Sequence, residues 1–349
     1  MQPTPTPLYK TITITAIKEE VKGFKTISFA TKEALPYRSG QYLTLVDYVG
    51  AEEVRRSYSI TSSPELNEPL TIGVKRIENG LFSRKLVDLA QPFDTWLTTG
   101  SGGFFTLPED VSSLKQLFFL AAGSGITPIY SLIKTVLYKH PHLHIVLIYS
   151  NSSTEKALFR HELEQLAQQH PKQVTIEFLY SNAPNLNRAR LHRDLFLQLL
   201  EQHVTVAINE VLFYICGPEA YMRMCTYILQ EHNVPKEQIK RENFIIHTKT
   251  PHKIEPPDKG VHQVTIYWNQ QQIQFPAGYP QTILSAAEAA GYALPYSCRS
   301  GQCGNCVAHC KKGQVWMSYN EVLTEKDLAK GLILTCTGSP MYGDVTLEL

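Results

Sequence analysis

The sequence lacks an excess of charge of either sign. Lysine and arginine total 33, aspartate and glutamate total 32, and the formal net charge is +1. Surfaces that bind nucleic acid or anionic membranes carry a basic excess. The composition therefore argues against both kinds of partner.

A secretory signal is missing as well. The first ten residues, MQPTPTPLYK, contain neither a basic region nor an apolar run. The seven cysteines are an odd number, and reduced thiols suit a cytosolic protein better than a disulfide framework does. We expect a cytoplasmic protein. The uncharged run from Gln116 to Ile133 is long enough for a membrane helix, but GSGITP interrupts it, so a strand, a glycine turn and a buried helix are expected instead of membrane insertion.

Residues 1–110 have the pattern of a β domain. Thr11–Ile17 alternates with a period of two, and short apolar runs follow between clusters of Gly, Pro, Asn and Ser. These runs are GQYLTLV, RSYSITS, LTIGVKRI and DTWLTTG. Several strands of this size predict a small β-barrel.

Residues 111–248 change to an alternation of strands and helices. The apolar runs QLFFLA, HIVLIYS, VTIEFLY and VLFYIC each precede a helical stretch. The predicted helices are Pro128–His140, Glu155–His170, Arg190–Gln202 and Glu219–His232. This order predicts an α/β domain with a parallel sheet.

Residues 249–260 are rich in proline and charge, which predicts a semi-extended linker that reaches roughly 35 Å. Such a linker would let residues 261–349 dock in turn on two surfaces. That last segment opens with a predicted hairpin around Asn269, and the sequence TILSAAEAAG then predicts a short helix.

Three cysteines are crowded into the stretch CRSGQCGNC. The spacing is Cys298-x4-Cys303-x2-Cys306, and Cys336 follows after 29 residues. A zinc site favours two close pairs of ligands, whereas this arrangement is that of plant-type [2Fe–2S] sites. Gly301 and Gly304 allow backbone amides to approach sulfur. A cysteine-rich loop without metal is the disfavoured alternative. Cys310 lies outside the spacing, and we interpret it as a packed thiol.

Two short motifs in the barrel segment carry polar groups suited to a nucleotide. RSYSI, Arg56–Ile60, lies on a predicted strand and offers a cation, an aromatic ring and a hydroxyl, although ordinary strand packing would explain it too. GLFS, Gly80–Ser83, offers amides and a hydroxyl at a predicted helix start, which suits an anion.

Two further motifs follow strands of the α/β segment. Gly123 and Gly125 come directly after an apolar strand, with Pro128 at the predicted first helical position. The third glycine of the GxGxxG fingerprint is absent. The motif Cys216-Gly217-Pro218 ends another strand, at the edge where ligands bind in such folds. We interpret Cys225, on the next helix, as core packing.

These motifs, taken in order, resemble the ferredoxin–NADP reductase superfamily. LPYSCRSGQCGNC and LTCTG resemble the cluster-binding segments of plant-type ferredoxins. The whole chain is similar to the reductase components of multicomponent oxygenases, of the phenylacetyl-CoA oxygenase type. The resemblance implies three domains: a flavin-binding β-barrel (1–110), an NAD(P)-binding α/β domain (111–248) and, after the linker, an α+β ferredoxin of the β-grasp fold (261–349).

The resemblance also implies cofactors and their sites. FAD is expected at Arg56, Ser57, Tyr58, Ser59, Val74, Lys75, Gly80, Leu81, Phe82 and Ser83. NAD(P)H is expected at Gly123, Gly125, Ile126, Thr127, Cys216, Gly217 and Pro218. A [2Fe–2S] cluster is expected on Cys298, Cys303, Cys306 and Cys336. Ser59 and Cys216 would lie at the reacting atoms. The loop GSGGFF departs from the family pattern, because Ser101 stands where proline is common.

The implied function is electron transfer from NAD(P)H through FAD and the cluster to a partner oxygenase of aromatic or acyl-CoA catabolism. A flavoprotein that reduces small acceptors directly and a redox-sensing iron–sulfur protein are the alternatives. We expect NADPH in preference to NADH, because neither YSNSSTEK nor YSNAPNLNR places a carboxylate directly at its strand end. Lys156, Arg188 and Arg190 are candidate partners of a 2′-phosphate, and Ser152 and Ser181 would suit either nucleotide.

Overall fold

A computed structural model describes residues 9–50, 52–244, 255–268 and 271–349. The chain forms two compact units. The first unit contains Thr11–Ser101 and Phe105–Phe244, so the predicted barrel and α/β segments pack together. The second unit contains Gly102–Phe104 and the C-terminal part of the chain.

Six antiparallel strands form the barrel. They are β1 (Lys10–Val21), β2 (Phe24–Thr31), β3 (Tyr42–Val49), β4 (Glu52–Ser59), β5 (Leu70–Lys75) and β6 (Thr95–Gly102), in the order β4-β3-β6-β1-β2-β5. A bridge between Ile60 and Ile72 connects the end of β4 to β5, which closes the sheet. Strand β2 was not predicted from the sequence. It forms a hairpin with β1 through a turn in which Gly23 has a φ of 79°.

Five parallel strands form the second sheet of this unit. They are β7 (Gln116–Ala122), β8 (His144–Asn151), β9 (Val174–Tyr180), β10 (Val211–Cys216) and β11 (Ile239–Glu242), in the order β11-β10-β7-β8-β9. Residues of β7 are buried on alternate faces in two different cores, since Leu117 and Phe119 belong to one and Phe118 and Leu120 to the other. Burial on both faces explains the continuous apolar runs. Strand β11 was not predicted.

The helices around this sheet differ from expectation mainly at their first residues. After the short helix α1 (Leu81–Arg84), which follows β5, they are α2 (Ile126–Lys139), α3 (Arg160–Gln169), α4 (Arg193–His203) and α5 (Glu219–Glu231). Helix α2 begins at Ile126, so Pro128 occupies the third helical position, and the prediction that it occupies the first is wrong. Helix α3 begins five residues after the predicted start at Glu155, because Phe159 has a left-handed φ of 53°.

The uncharged run from Gln116 to Ile133 consists of strand β7, a single 3₁₀ turn and the first half of α2. Within the described residues, no helix combines the length and the hydropathy needed to cross a bilayer.

The C-terminal unit contains a mixed five-stranded sheet. Its elements are β12 (His262–Trp268), β13 (Gln271–Ala277), α6 (Ile283–Ala289), β14 (Val307–Met317), α7 (Glu325–Ala329), β15 (Leu332–Leu334) and β16 (Gly338–Glu348). Strands β12 and β13 form the predicted hairpin, although its turn at Asn269 lies outside the described residues. Helix α6 is the predicted short helix, and the hydroxyl of Thr282 caps it by accepting a hydrogen bond from the amide of Ser285.

The second half of the predicted linker is bound to the C-terminal unit. The Asp258 carboxylate accepts hydrogen bonds from the amides of Gly260 and Tyr342 and contacts the His262 ring. These contacts hold the pKa of Asp258 at about 2. Pro256 is buried. Residues 255–260 of the predicted linker therefore belong to the C-terminal unit, and residues 249–254 lie outside the described residues.

Candidate functional site

The alternation of β4 divides the RSYS motif between two faces. Arg56 is exposed and Tyr58 half-buried on one face, whereas Ser59 is buried on the opposite face. Arg55, on the Ser59 face, is buried and paired with Glu53 at 2.6 Å. Arg56 and Tyr58 are thus the two side chains of the motif that share an accessible face. Ser57 lies on the other side, and its hydroxyl is hydrogen-bonded to that of Thr44.

The GLFS motif packs against the same strand. Helix α1 begins directly after Gly80, as predicted. The buried Phe82 ring lies 6.1 Å from Tyr58 and 5.5 Å from Trp96. The Ser83 hydroxyl accepts from the amide of Ile77 and donates to the carbonyl of Gly80, so it is already engaged in its own turn. The structure therefore brings the two predicted flavin motifs together through Tyr58 and Phe82.

The remaining predicted flavin residues differ in exposure. Val74 is fully buried in the barrel core, and Lys75 is exposed. Leu81 is 70% exposed. Val74 can therefore contact a ligand through its backbone only.

The two glycines after β7 have different roles. Gly123 has a φ of 55° and open space where a Cβ would lie. A Cβ on Gly125 would lie 2.0 Å from the carbonyl oxygen of Cys216. Gly125 is therefore required for the contact between the β7 turn and the end of β10, and of the two glycines only Gly123 leaves room for a pyrophosphate. This close contact also places the Gly123–Gly125 turn beside the Cys216-Gly217-Pro218 motif.

The start of α2 contacts the barrel at β5. Ile126 and Thr127 are both buried, and the Thr127 hydroxyl donates to the carbonyl of Ser124. A Cβ on Gly73 would lie 2.8 Å from the Thr127 side chain and 3.2 Å from that of Thr61. The first helical turn after the glycines therefore lies against the barrel strand that precedes α1.

Five buried polar atoms at the carboxyl edge of the parallel sheet lack a partner in good hydrogen-bond geometry among the described residues, although the Tyr221 hydroxyl lies beside Ser150. They are Ser150 Oγ, Asn151 Nδ2, Tyr180 OH, Tyr221 OH and Glu242 Oε2. A buried polar group left without a partner costs about 1–3 kcal/mol. Ligands bind at this edge in open α/β sheets, and a nucleotide carries hydroxyl, phosphate and amide groups that would satisfy such atoms. These residues were missed from the sequence, where only their position at strand ends marks them.

Cys216 differs from its predicted setting. The sequence suggested a thiol at an exposed turn, but the structure buries Cys216 completely. Its register partner in β11 is Glu242. Burial and the Glu242 carboxylate raise the pKa of the Cys216 thiol well above its usual value. Burial also raises the pKa of Glu242 to about 8. The exposed part of the motif is Pro218, whereas Cys216 is a protonated thiol inside the sheet.

The four predicted cluster cysteines lie together in the C-terminal unit. The Cys298 sulfur contacts those of Cys303 and Cys336, and the Cys306 sulfur contacts that of Cys336. Cys306 and Cys336 are buried, and the other two are half-buried. The four thiols thus form one connected group, in which Cys336 contacts both Cys298 and Cys306. Cys310 lies on β14, outside this group, as predicted.

The loop conformation turns amides toward the sulfurs. Gly301 and Gly304 have φ values of 72° and 77°, and a Cβ on Gly301 would lie 2.7 Å from the carbonyl of Tyr319. Four cysteine thiolates brought together in one loop region are the ligand set of a plant-type [2Fe–2S] centre.

Three family models match consecutive parts of the chain. An oxidoreductase FAD-binding domain matches residues 10–107, an oxidoreductase NAD-binding domain matches 119–226, and a 2Fe-2S iron-sulfur cluster binding domain matches 266–340. A component of the 1,2-phenylacetyl-CoA epoxidase of Escherichia coli (strain K12) is 30% identical over 349 residues, which covers 97% of each chain. The chain belongs to the ferredoxin–NADP reductase superfamily, in the branch with a C-terminal ferredoxin domain.

Other relatives agree with this assignment. The ferredoxin reductase component of 3-ketosteroid-9-alpha-monooxygenase from Rhodococcus rhodochrous is 28% identical and covers 97% of this chain and 96% of its own. The solved structure of phthalate dioxygenase reductase covers 98% of both chains with a TM-score of 0.59 at 20% identity, which shows the shared fold. The chain described here is an NAD(P)H-dependent oxidoreductase that uses FAD and a [2Fe–2S] cluster. The predicted fold class and cofactors are confirmed.

Proposed function

We propose that this chain is the reductase component of a multicomponent oxygenase. It takes two electrons from NAD(P)H and delivers them one at a time to a separate oxygenase protein in the cytoplasm. The oxygenase acts on an aromatic or acyl-CoA substrate. The observation that carries this proposal is the match over 97% of both chains to the 1,2-phenylacetyl-CoA epoxidase component, with the flavin, nucleotide and cluster domains all present.

Both alternatives are less well supported by the same observation. A flavoprotein that reduces small acceptors directly would not need a C-terminal ferredoxin domain. A redox sensor would not need the nucleotide edge with its set of buried polar groups at the ends of four elements. Electron transfer from NAD(P)H to a separate oxygenase uses both features, the nucleotide edge and the ferredoxin domain.

When bound, the flavin would supply hydride acceptance and the [2Fe–2S] cluster would supply single-electron transfer. The protein supplies binding and orientation. Arg56 provides a cation for a flavin phosphate on the accessible face of β4, and Tyr58 on the same face provides a ring for stacking. Leu81, Phe82 and Ser83 provide backbone amides for the second phosphate, since the Gly80 amide donates to the carbonyl of Ile77. Ser59 is buried on the opposite face of β4, so the predicted role of its hydroxyl at the flavin is not part of this proposal.

The nucleotide lies at the carboxyl edge of the parallel sheet. Gly123 leaves open space for its pyrophosphate, and Gly217 and Pro218 line the nicotinamide end. Cys216 and Gly125 act through packing, because the contact between them sets the distance between the two loops. Cys298, Cys303, Cys306 and Cys336 hold the cluster.

The choice between NADPH and NADH depends on which cations are available at this edge. Arg188 is paired with Glu177 at 2.5 Å, and Glu177 also contacts His203. Lys156 and Arg190 are exposed. We predict a preference for NADPH that depends on these two residues, measured as kcat/KM for both donors in the wild type and in Lys156→Ala and Arg190→Ala. A tenfold preference for NADH would contradict it.

The full-length Cys303→Ser variant tests the proposed electron path. It should keep NAD(P)H–ferricyanide activity, which requires the flavin, while cytochrome c reduction and coupled oxygenase turnover fall to background. Cys310→Ser is the matched control, since this thiol lies outside the cluster group, and it should retain all three activities. Full oxygenase coupling by Cys303→Ser without a cluster would place the cluster off the path.

A further inference from the structure

Two side chains of the cluster loop carry buried donors that have no hydrogen-bond partner among the described residues. They are the Ser300 hydroxyl and the Asn305 side-chain amide. Ser300 follows Cys298 by two positions, and Asn305 directly precedes Cys306. Both therefore belong to the nine residues that hold three of the four proposed ligands.

Backbone donors in this loop already contact sulfur. The backbone amide of Ser300 lies 3.4 Å from the Cys298 sulfur. The backbone amide of Asn305 contacts the Cys303 sulfur. The Ser300 hydroxyl lies beside the Cys298 sulfur as well, without good hydrogen-bond geometry to it. The side-chain donors thus lie where the loop presents its amides to the cysteines.

Neighbouring polar groups on the adjoining segments are engaged elsewhere. The Thr337 hydroxyl donates to the carbonyl of Tyr319, and the Thr335 hydroxyl donates to the carbonyl of Cys306. The Asn320 amide donates to the carbonyl of Leu323. The Cys298 sulfur lies beside the Ser300 hydroxyl, and the backbone of Asn305 contacts the Cys303 sulfur. In a [2Fe–2S] centre such sulfur atoms carry negative charge that increases on reduction.

We propose that the Ser300 hydroxyl and the Asn305 side-chain amide donate hydrogen bonds to sulfur atoms of the cluster centre and raise its reduction potential. Hydrogen bonds to the sulfurs are one of the quantities that set the potential of such centres, because they stabilise the more negative, reduced form. The two side chains are therefore tuning residues, distinct from the ligands. This inference rests on the proposed assignment of the four cysteines.

The test is the midpoint potential of the full-length holoprotein, measured by spectroelectrochemistry. Ser300→Val and Ser300→Thr form a matched pair, because the two side chains have nearly the same shape and only threonine keeps the hydroxyl. We expect the potential of Ser300→Val to fall below that of Ser300→Thr, which should stay near wild type. Asn305→Leu should lower the potential too, and the double variant Ser300→Val/Asn305→Leu should lower it further.

Ser339→Ala is the control for loss of a buried hydroxyl in the same unit, since Ser339 donates to the carbonyl of Gln281. It should leave the potential unchanged. Iron and sulfide counts are made on every variant. Equal potentials for the Val and Thr variants, each with two irons, would overturn the proposal while leaving the cysteine assignment intact. A Val variant without a cluster beside a loaded Thr variant would also overturn it, because the hydroxyl would then serve assembly. A wild type without two irons and two sulfides would instead defeat the cysteine assignment itself.

Discussion

The cluster loop and the nucleotide edge differ in how their parts are distributed along the sequence. Three of the four proposed cluster ligands fall within nine residues, and the loop's own Gly301, Gly304 and Arg299 provide its positive φ values. The nucleotide edge takes its unpartnered polar atoms from β8, β9, α5 and β11, which span residues 150–242. The first site is a property of one short segment, whereas the second exists only after the parallel sheet has formed.

This comparison teaches that the two sites should respond differently to single substitutions. In the loop, a change acts on the ligands themselves. At the edge, a change in one element alters the site through a contact with another element, without touching a ligand. Gly125 and Cys216 show such a contact, since one belongs to the turn after β7 and the other to the end of β10.

Gly125→Ala should give the largest effect. Its φ is ordinary, so backbone strain is not involved, but the added Cβ would meet the Cys216 carbonyl at 2.0 Å. We expect the free energy of unfolding of the first unit to fall by about 3 kcal/mol, measured by urea denaturation. Iron content should stay at two per chain, because the cluster loop belongs to the other unit.

Gly123→Ala is the counterpart, because its Cβ would occupy open space and only the positive φ is unfavourable. It should cost about 1 kcal/mol while weakening nucleotide binding. If both alanine variants unfolded at the same urea concentration, the packing role assigned to Gly125 would be wrong.

Two neighbouring arginines of β4 test whether the two faces of this strand have different roles at the proposed flavin site. Arg56 is exposed, so Arg56→Ala should leave unfolding unchanged and weaken FAD binding roughly tenfold to hundredfold, as expected for one hydrogen bond to a charged group. Fluorescence titration of the flavin-free protein measures this. Arg55→Ala should do the reverse, because it removes a buried guanidinium that is paired with Glu53. Equal loss of FAD affinity in the two variants would contradict the assignment of opposite faces.

The raised pKa of Glu242 predicts a smaller effect, a dependence of the protein's stability on pH. Burial raises its pKa to about 8, from 4.5 in the unfolded chain. Between these values the folded protein holds a proton that the unfolded chain releases, so stability falls as the pH rises through this range. We expect about 1 kcal/mol of loss between pH 6 and pH 7 without nucleotide. Glu242→Gln should remove this dependence.

The control is Glu237→Gln, since Glu237 is an exposed carboxylate in the turn before β11. It should keep the wild-type slope of stability against pH. A Glu242→Gln variant that also keeps this slope would show that Glu242 is ionised in the folded protein.

Some of the fold could be predicted because burial leaves a periodic trace in the sequence. The alternation in β1 and the apolar runs of β7 and β10 marked strands correctly, since side chains of a strand point to opposite faces. Strand β11 left no such trace, because its residues are only partly buried. Helix α3 was placed too early, because the left-handed Phe159 ends the preceding turn and the sequence carries no glycine there to mark it.

The sequence by itself determined the cluster site, because the cysteine spacing, the glycines and the small polar residues between them are properties of one continuous segment. It also determined the alternation of strands and helices and the order of the domains. Only the tertiary structure decided that Tyr58 packs near Phe82, that Gly125 packs on Cys216, and that Glu242 lies beside that thiol. These relations join residues far apart in the chain or depend on which face is buried, and both are settled when the sheets pack.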